Sequence, residues 1–204
     1  SRGFVANGHY DLFVNSRDDY PSHKSINATQ RVAARIDPNS TQPVCDQIRK
    51  GVNPKAAPGS VPNLSVVKSP ETPGLIALHP CANFKHWQGW QGMFRYLRQK
   101  GVGILLVCGP RDLGVAPRLA AQAGFPTSTR TTAGEPLSVT AGLVAGCAGF
   151  IGDEDGVAHL AGAVGVPGVA IWRPQFNHWK PPQPTMKFVE PSATYQDAAK
   201  ALGI

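Results

Sequence analysis

The chain has little that would tie it to a membrane, a metal or a disulfide framework. No run approaches the roughly 18–20 apolar residues that a bilayer-spanning helix needs, although hydrophobic residues make up 42% of its 204 positions. The N-terminal stretch SRGFVANGHYDLF is polar and has no apolar core, so no secretory signal is read there. It also has no initiator Met, which leaves a processed and a truncated start both open. The four cysteines, Cys45, Cys81, Cys108 and Cys147, include no C-x-x-C pair, so neither a zinc site nor a disulfide scaffold is expected. Cys108 and Cys147 fall in apolar runs, where a free thiol behaves as a small hydrophobe. A reducing cytoplasm fits this usage. No basic stripe interleaved with aromatics is present, which argues against a nucleic-acid partner.

There is an excess of positive charge. The formal net charge is +7, from 20 basic and 13 acidic residues. It is spread along the chain: residues 1–73 carry 9 basic and 6 acidic side chains, and residues 74–204 carry 11 and 7. An ordinary solvated surface accounts for this. So does attraction to an anionic ligand such as a nucleotide diphosphate or a phosphorylated glycolipid.

The chain changes texture along its length. Residues 37–73 hold seven prolines and few apolar clusters, the composition of a linker or an extended wrapping segment. Before them, Tyr10–Val14 reads as a strand, and Ile26–Ile36 reads as a helix with Ser25 or Asn27 as its cap. Residues 1–36 are too few to bury a core alone. From residue 74 the pattern is regular. Apolar strands at Leu75–Leu78, Gly103–Val107, Ala148–Ile151, Val166–Trp172 and Met186–Val189 alternate with helices at Trp90–Gln99, Val115–Ala123, Leu137–Ala145, Val157–Val164 and Tyr195–Leu202. Each unit closes on Gly or Pro. This is the signature of an α/β fold, a parallel sheet with helices on both faces. Three organisational pieces result: 1–36, a Pro-rich linker over 37–73, and a Rossmann-like domain over 74–204.

Folds of this class bind ligands outside the carboxyl ends of the strands. Three such ends carry chemistry. At Gly152–His159 a strand runs through GDEDG into a helix. Gly156 permits close backbone approach, and the first free amides of the helix form an anion site. Asp155 can cap that helix, and His159 lies one turn in. The three carboxylates Asp153, Glu154 and Asp155 would repel a phosphate if all pointed at it, so they must turn to hydroxyls, to the cap or away. At His79–Trp87 the loop offers Lys85, either a solvated lysine or a phosphate ligand. At Cys108–Asp112, Asp112 can serve as a helix cap, as an acceptor for ribose hydroxyls, or as both.

These motifs resemble glycosyltransferase family 9, the ADP-heptose-dependent heptosyltransferases, over residues 74–191. The family's D-[ST]-G-x-x-H-L-A stretch corresponds to Glu154-Asp155-Gly156-Val157-Ala158-His159-Leu160-Ala161, followed by Gly165-Val166-Pro167 and an apolar strand. The preceding helix, PLSVTAGLVAGCAGFIG, aligns without a gap. Lys85 and Trp87 match the family's K-x-W. Asn83 falls where Ser or Thr is common, and Asp112 matches the acid after G-G/A-P. Two departures stand out. The family's Asp and Ser/Thr are Glu154 and Asp155 here, and its G-x-T turn has become Arg173-Pro174-Gln175.

The resemblance implies the C-terminal, donor-binding half of a GT-B fold. It implies a metal-independent glycosyltransferase that binds a nucleotide sugar, such as ADP-heptose, through Lys85, Asn83, Asp112, Glu154, Asp155, Gly156 and His159. The sugar would pass to an anionic glycan or glycolipid in lipopolysaccharide biosynthesis. That places the protein in the cytoplasm or peripherally at the inner membrane. Neither a cofactor nor a metal is implied beyond the donor itself. The family's general base is an Asp near the first strand of the N-terminal domain, and no corresponding stretch is found. A missing N-terminal domain or a partner chain would have to supply it. The alternative is a catalytically silent GT-B-like domain kept for binding or assembly; another sugar-nucleotide enzyme, such as an epimerase, is a third reading.

Overall fold

The computed structural model describes residues 9–15, 27–33, 63–80, 87–109, 112, 114–126 and 128–204. The chain divides into two compact units, Ser1–Ser60 and Val61–Ile204.

In the first unit, β1 (His9–Asn15) pairs in parallel with β2 (Asn27–Ala33), with His9 opposite Asn27 and Asn15 opposite Ala33. The strand expected at Tyr10–Val14 is present. The helix expected over Ile26–Ile36 is not: seven of those residues form β2. Helix propensity in a stretch such as NATQRVA amounts to a few tenths of a kcal/mol per residue. Backbone pairing with an available strand outweighs it.

The second unit is built on a five-stranded sheet. Its strands are β3 (Ile76–His79), β4 (Ile104–Leu106), β5 (Gly149–Asp153), β6 (Gly168–Ile171) and β7 (Met186–Val189). All pairs are parallel, in the spatial order β4-β3-β5-β6-β7. A parallel bridge from Leu106 to Thr131 adds a further rung outside β4. The helices are α1 (Trp90–Gln99), α2 (Ala116–Gln122), α3 (Leu137–Gly146), α4 (Gly156–Ala163) and α5 (Tyr195–Leu202). A 3-10 segment spans Pro174–Trp179.

Alternation along the strands divides the core between the two faces of the sheet. Ile76, Leu78, Ile104, Leu106, Ile151, Val169 and Ile171 face one way, onto α1, α2 and α5. Ala77, Leu105, Val107, Phe150 and Ala170 face the other way, onto α3 and α4. The stripe Trp90, Met93, Phe94 and Leu97 is what makes α1 amphipathic, and all four are buried. Cys108 and Cys147 are buried free thiols, and burial pushes Cys147 up to about 11. Both therefore behave as the small hydrophobes expected.

The end of the Pro-rich stretch lies along the second unit. Leu64 N donates to Ala163 O at 2.8 Å, Ser69 N to Gly142 O at 3.0 Å, and the buried Thr72 hydroxyl to Leu143 O at 2.8 Å. Gly142 and Gly146 sit one turn apart on α3 beneath it. A Cβ at Gly142 would come within 2.8 Å of Val67 O, and one at Gly146 within 2.6 Å of Ser69 O. The missing side chains let the extended backbone lie against the helix.

Candidate functional site

The chain leaves β3 towards β4 on one side, and from β5 onward runs to the other side. The switch point lies between β3 and β5, where an open α/β sheet leaves a crevice at its carboxyl edge. His79 ends β3, and Asp153 ends β5 just before Glu154, Asp155 and α4.

Each of the three carboxylates of GDEDG is engaged by a different donor. Asp153 is buried and accepts from Trp90 Nε1 at 3.3 Å. Glu154 is buried and forms an ion pair with the Arg173 guanidinium, while its other oxygen accepts from the Arg173 amide at 2.7 Å. Asp155 is the N-cap of α4: Oδ1 accepts from Val157 N at 2.8 Å, and Oδ2 lies 2.5 Å from His79 Nε2. As expected of three adjacent carboxylates, they turn apart: their charge is distributed among a Trp, an Arg and a His, with Asp155 at the helix cap.

Gly156 begins α4 and is exposed. It does not have a positive φ, and a Cβ there would meet no atom of the described residues within 4 Å. Neither its backbone conformation nor packing among the described residues requires glycine here. A cavity of about 500 Å³ opens beside it, lined by Glu154, Asp155, Gly156, His159, Trp172, Arg173, Phe176 and Trp179. His159 stands edge-on to Trp172, with ring centroids 6.0 Å apart. Burial, the largest effect on its ring, lowers its pKa from 6.5. Trp172 Nε1 donates to Phe176 O at 2.9 Å, and Arg173 stacks 4.7 Å over the Phe176 ring. The walls are mainly aromatic faces.

Asp112 is buried in the segment that follows β4, and its Oδ2 accepts from Gly109 N at 2.9 Å. It closes its own turn. The N-cap of α2 is Val115, which makes no side-chain cap bond, so the cap expected of the Asp112 carboxylate is not formed. Trp87 is buried, donates to Ala193 O at 2.7 Å and meets Trp90 edge-on at 5.3 Å. It anchors the chain where the loop after β3 enters α1. Lys85 and Asn83 lie outside the described residues. The structure therefore brings Glu154, Asp155, Gly156 and His159 together around one cavity, with Asp112 in the segment after β4. Among the described residues no group of three His, Cys, Asp or Glu side chains is arranged to hold a metal, and no helix is long and apolar enough to cross a membrane.

Sequence reading missed His79 and the aromatic wall of Trp172, Phe176 and Trp179 as site residues. The signal for the wall was the replacement of a small turn by Arg173-Pro174-Gln175-Phe176. For His79 it was a histidine at a strand's carboxyl end, joined to an acid standing in a hydroxyl position.

The family model for glycosyltransferase family 9 (heptosyltransferase) matches residues 25–198. The chain belongs to that family. It is a glycosyltransferase by family membership, and the match takes in β2 and the Pro-rich stretch as well as the sheet. Solved family structures share the fold. A family 9 glycosyltransferase from Veillonella parvula superposes with a TM-score of 0.68 at 17% identity, over 98% of this chain and 76% of that one. The ADP-heptose heptosyltransferase II of Escherichia coli gives 0.65 at 20%, over 86% and 64%. The Escherichia coli heptosyltransferase WaaC, solved with ADP, gives 0.65 at 14%, over 96% and 73%. This chain thus spans about two thirds to three quarters of the length of these proteins. Among curated proteins, none matches it by sequence.

Proposed function

We propose that the carboxyl edge of the five-stranded sheet binds a nucleotide-diphosphate sugar, with ADP-heptose the leading candidate, and that the chain transfers the sugar to an anionic glycan or glycolipid. The observation that carries this reading is Gly156. It stands at the switch point on the first turn of a helix, where nothing among the described residues requires glycine. A backbone left bare beside a cavity is what close approach of a diphosphate needs.

The rest follows from the order of the strands. Asp112 in the segment after β4 would take the ribose, the loop after β3 with Lys85 and Asn83 the diphosphate, and the cavity at β5 and β6 the sugar. From β4 to β6 is three strand spacings, about 14 Å, comparable with an extended nucleoside diphosphate carrying a sugar. Catalysis on this reading consists of stabilising the leaving diphosphate with Lys85 and the helix amides, with no metal. The aromatic walls would press on the sugar's apolar face. The acceptor's general base would come from an N-terminal domain or from a partner chain. An acceptor of this class places the work at the cytoplasmic face of the inner membrane.

Calorimetry with ADP and ADP-heptose tests the reading. Binding should be measurable, and Lys85→Ala should weaken it at least tenfold. No binding of either compound would sink it.

One observation favours a catalytically silent binding domain. The Glu154 carboxylate, matched to a donor-contacting acid of the family, is held by Arg173, which stands where the family has a small turn. The two readings separate on a mass-spectrometric transfer assay. ADP-heptose bound without turnover on any acceptor would favour the silent domain.

A further inference from the structure

His79 spans the switch point with one ring. Nδ1 lies 2.6 Å from Val107 O at the end of β4, and Nε2 lies 2.5 Å from Asp155 Oδ2 at the start of α4. The ring is 2% exposed. The position of its protons follows from its partners. A backbone carbonyl can only accept, so Nδ1 carries a hydrogen. A 2.5 Å contact between a ring nitrogen and a carboxylate oxygen needs one proton between them. Imidazolium facing carboxylate and imidazole facing carboxylic acid contain the same protons, and the pair is net neutral in either form.

Asp155 is also one of the two departures from the family pattern. A carboxylate has replaced a hydroxyl at the cap beside the expected diphosphate. Left bare, it would oppose an anionic ligand at close range.

We propose that His79 is a positioning residue of the donor site: it balances the charge of Asp155 and holds that carboxylate as the N-cap of α4, so the first turn of α4 can face a diphosphate. The role rests on the donor-binding reading given above. With an acid at the cap, His79 offers it a balancing partner from the opposite side of the switch point; a hydroxyl there would bring no charge to balance. Other charged or titratable groups around the pair among the described residues are Cys108 and Asp112 in the segment after β4, Asp153 at the end of β5, Glu154 after it, His159 on α4, and Arg173, which is already paired with Glu154. None of the three carboxylates can neutralise Asp155.

The test is a double-mutant cycle read by ADP calorimetry at neutral pH, on the full chain and on His79→Gln, Asp155→Thr and the double variant. Circular dichroism verifies that each is folded. His79→Gln should weaken ADP binding about tenfold or more in the parent, where it leaves the carboxylate unbalanced. In the Asp155→Thr background the same substitution should cost less than twofold. Equal losses in the two backgrounds would mean that His79 acts only through general structure, and would overturn the proposal. A second readout needs no ligand. The shared proton should give a ¹H resonance well downfield of the amides, absent from His79→Gln and from Asp155→Thr; its absence from the parent chain also overturns the proposal. Failure of the parent to bind ADP would instead remove the donor reading, and the role of His79 with it, while the shared-proton resonance persisted. The two failures are therefore distinguishable.

Discussion

Arg173 and Glu154 hold each other twice: the guanidinium pairs with one carboxylate oxygen, and the Arg173 amide donates to the other at 2.7 Å. The Glu154 side chain is 6% exposed and that of Arg173 34%. Cutting the arginine back leaves a buried carboxylate with its backbone donor alone. Arg173→Ala is expected to destabilise the folded chain by about 2–3 kcal/mol, below the usual cost of breaking a fully buried pair because the arginine is partly solvated. Adding Glu154→Gln should recover much of the loss, since a neutral amide costs less to leave unpaired. Urea denaturation of the three variants measures this. An Arg173→Ala chain as stable as the parent would show that the pair contributes nothing net.

The extended segment on α3 makes the second prediction. Alanine normally favours an exposed helix position over glycine by about 1 kcal/mol. At Gly146 the added Cβ would meet the Ser69 carbonyl at 2.6 Å, a backbone atom with little freedom to move. Gly146→Ala should therefore be destabilising by about 1–3 kcal/mol, and limited proteolysis should cut faster within residues 63–72. A stabilised variant would mean that the segment does not lie on this face.

The third prediction concerns pH. Burial lowers the pKa of His159 below its ordinary 6.5. The folded state then binds fewer protons than the unfolded chain just below that value, so acid favours unfolding. His159 should contribute a loss of stability that begins as pH falls through about 6.5 and continues until its folded-state pKa is passed. Melting temperatures of the parent chain should drop between pH 7.5 and 5.5 by more than those of His159→Gln. Parallel curves would show that this histidine is not the group responsible.

Much of the second unit was legible because its signals are local. The bounds expected for the last helix, Tyr195–Leu202, coincide with α5. Thr194 and Asp197 form a capping box at its start, and Gly203 ends it in the left-handed region at φ 91°. The strands were legible from apolar runs stopped by Gly or Pro. The stretch Asn27–Ala33 was misread because it lacks such punctuation, and its conformation depends on β1. The 3-10 segment at Pro174–Trp179 was not anticipated, since prolines and aromatics suggest only an irregular turn.

The site divides in the same way. The placement of Gly156 and His159 at the start of α4 was legible because a strand, a loop and a helix follow in immediate succession. His79 and Asp155 are 76 residues apart, and no local pattern links them. The sequence by itself determined that strands and helices alternate, which residues face the core and where the strand ends with chemistry lie, because hydrophobic period and turn residues act over a few positions. Only the tertiary structure decided which donor each carboxylate of GDEDG meets. Parallel crossovers bring the ends of distant strands together at one edge, and charge balance depends on separations of a few ångströms there, not on separation along the chain.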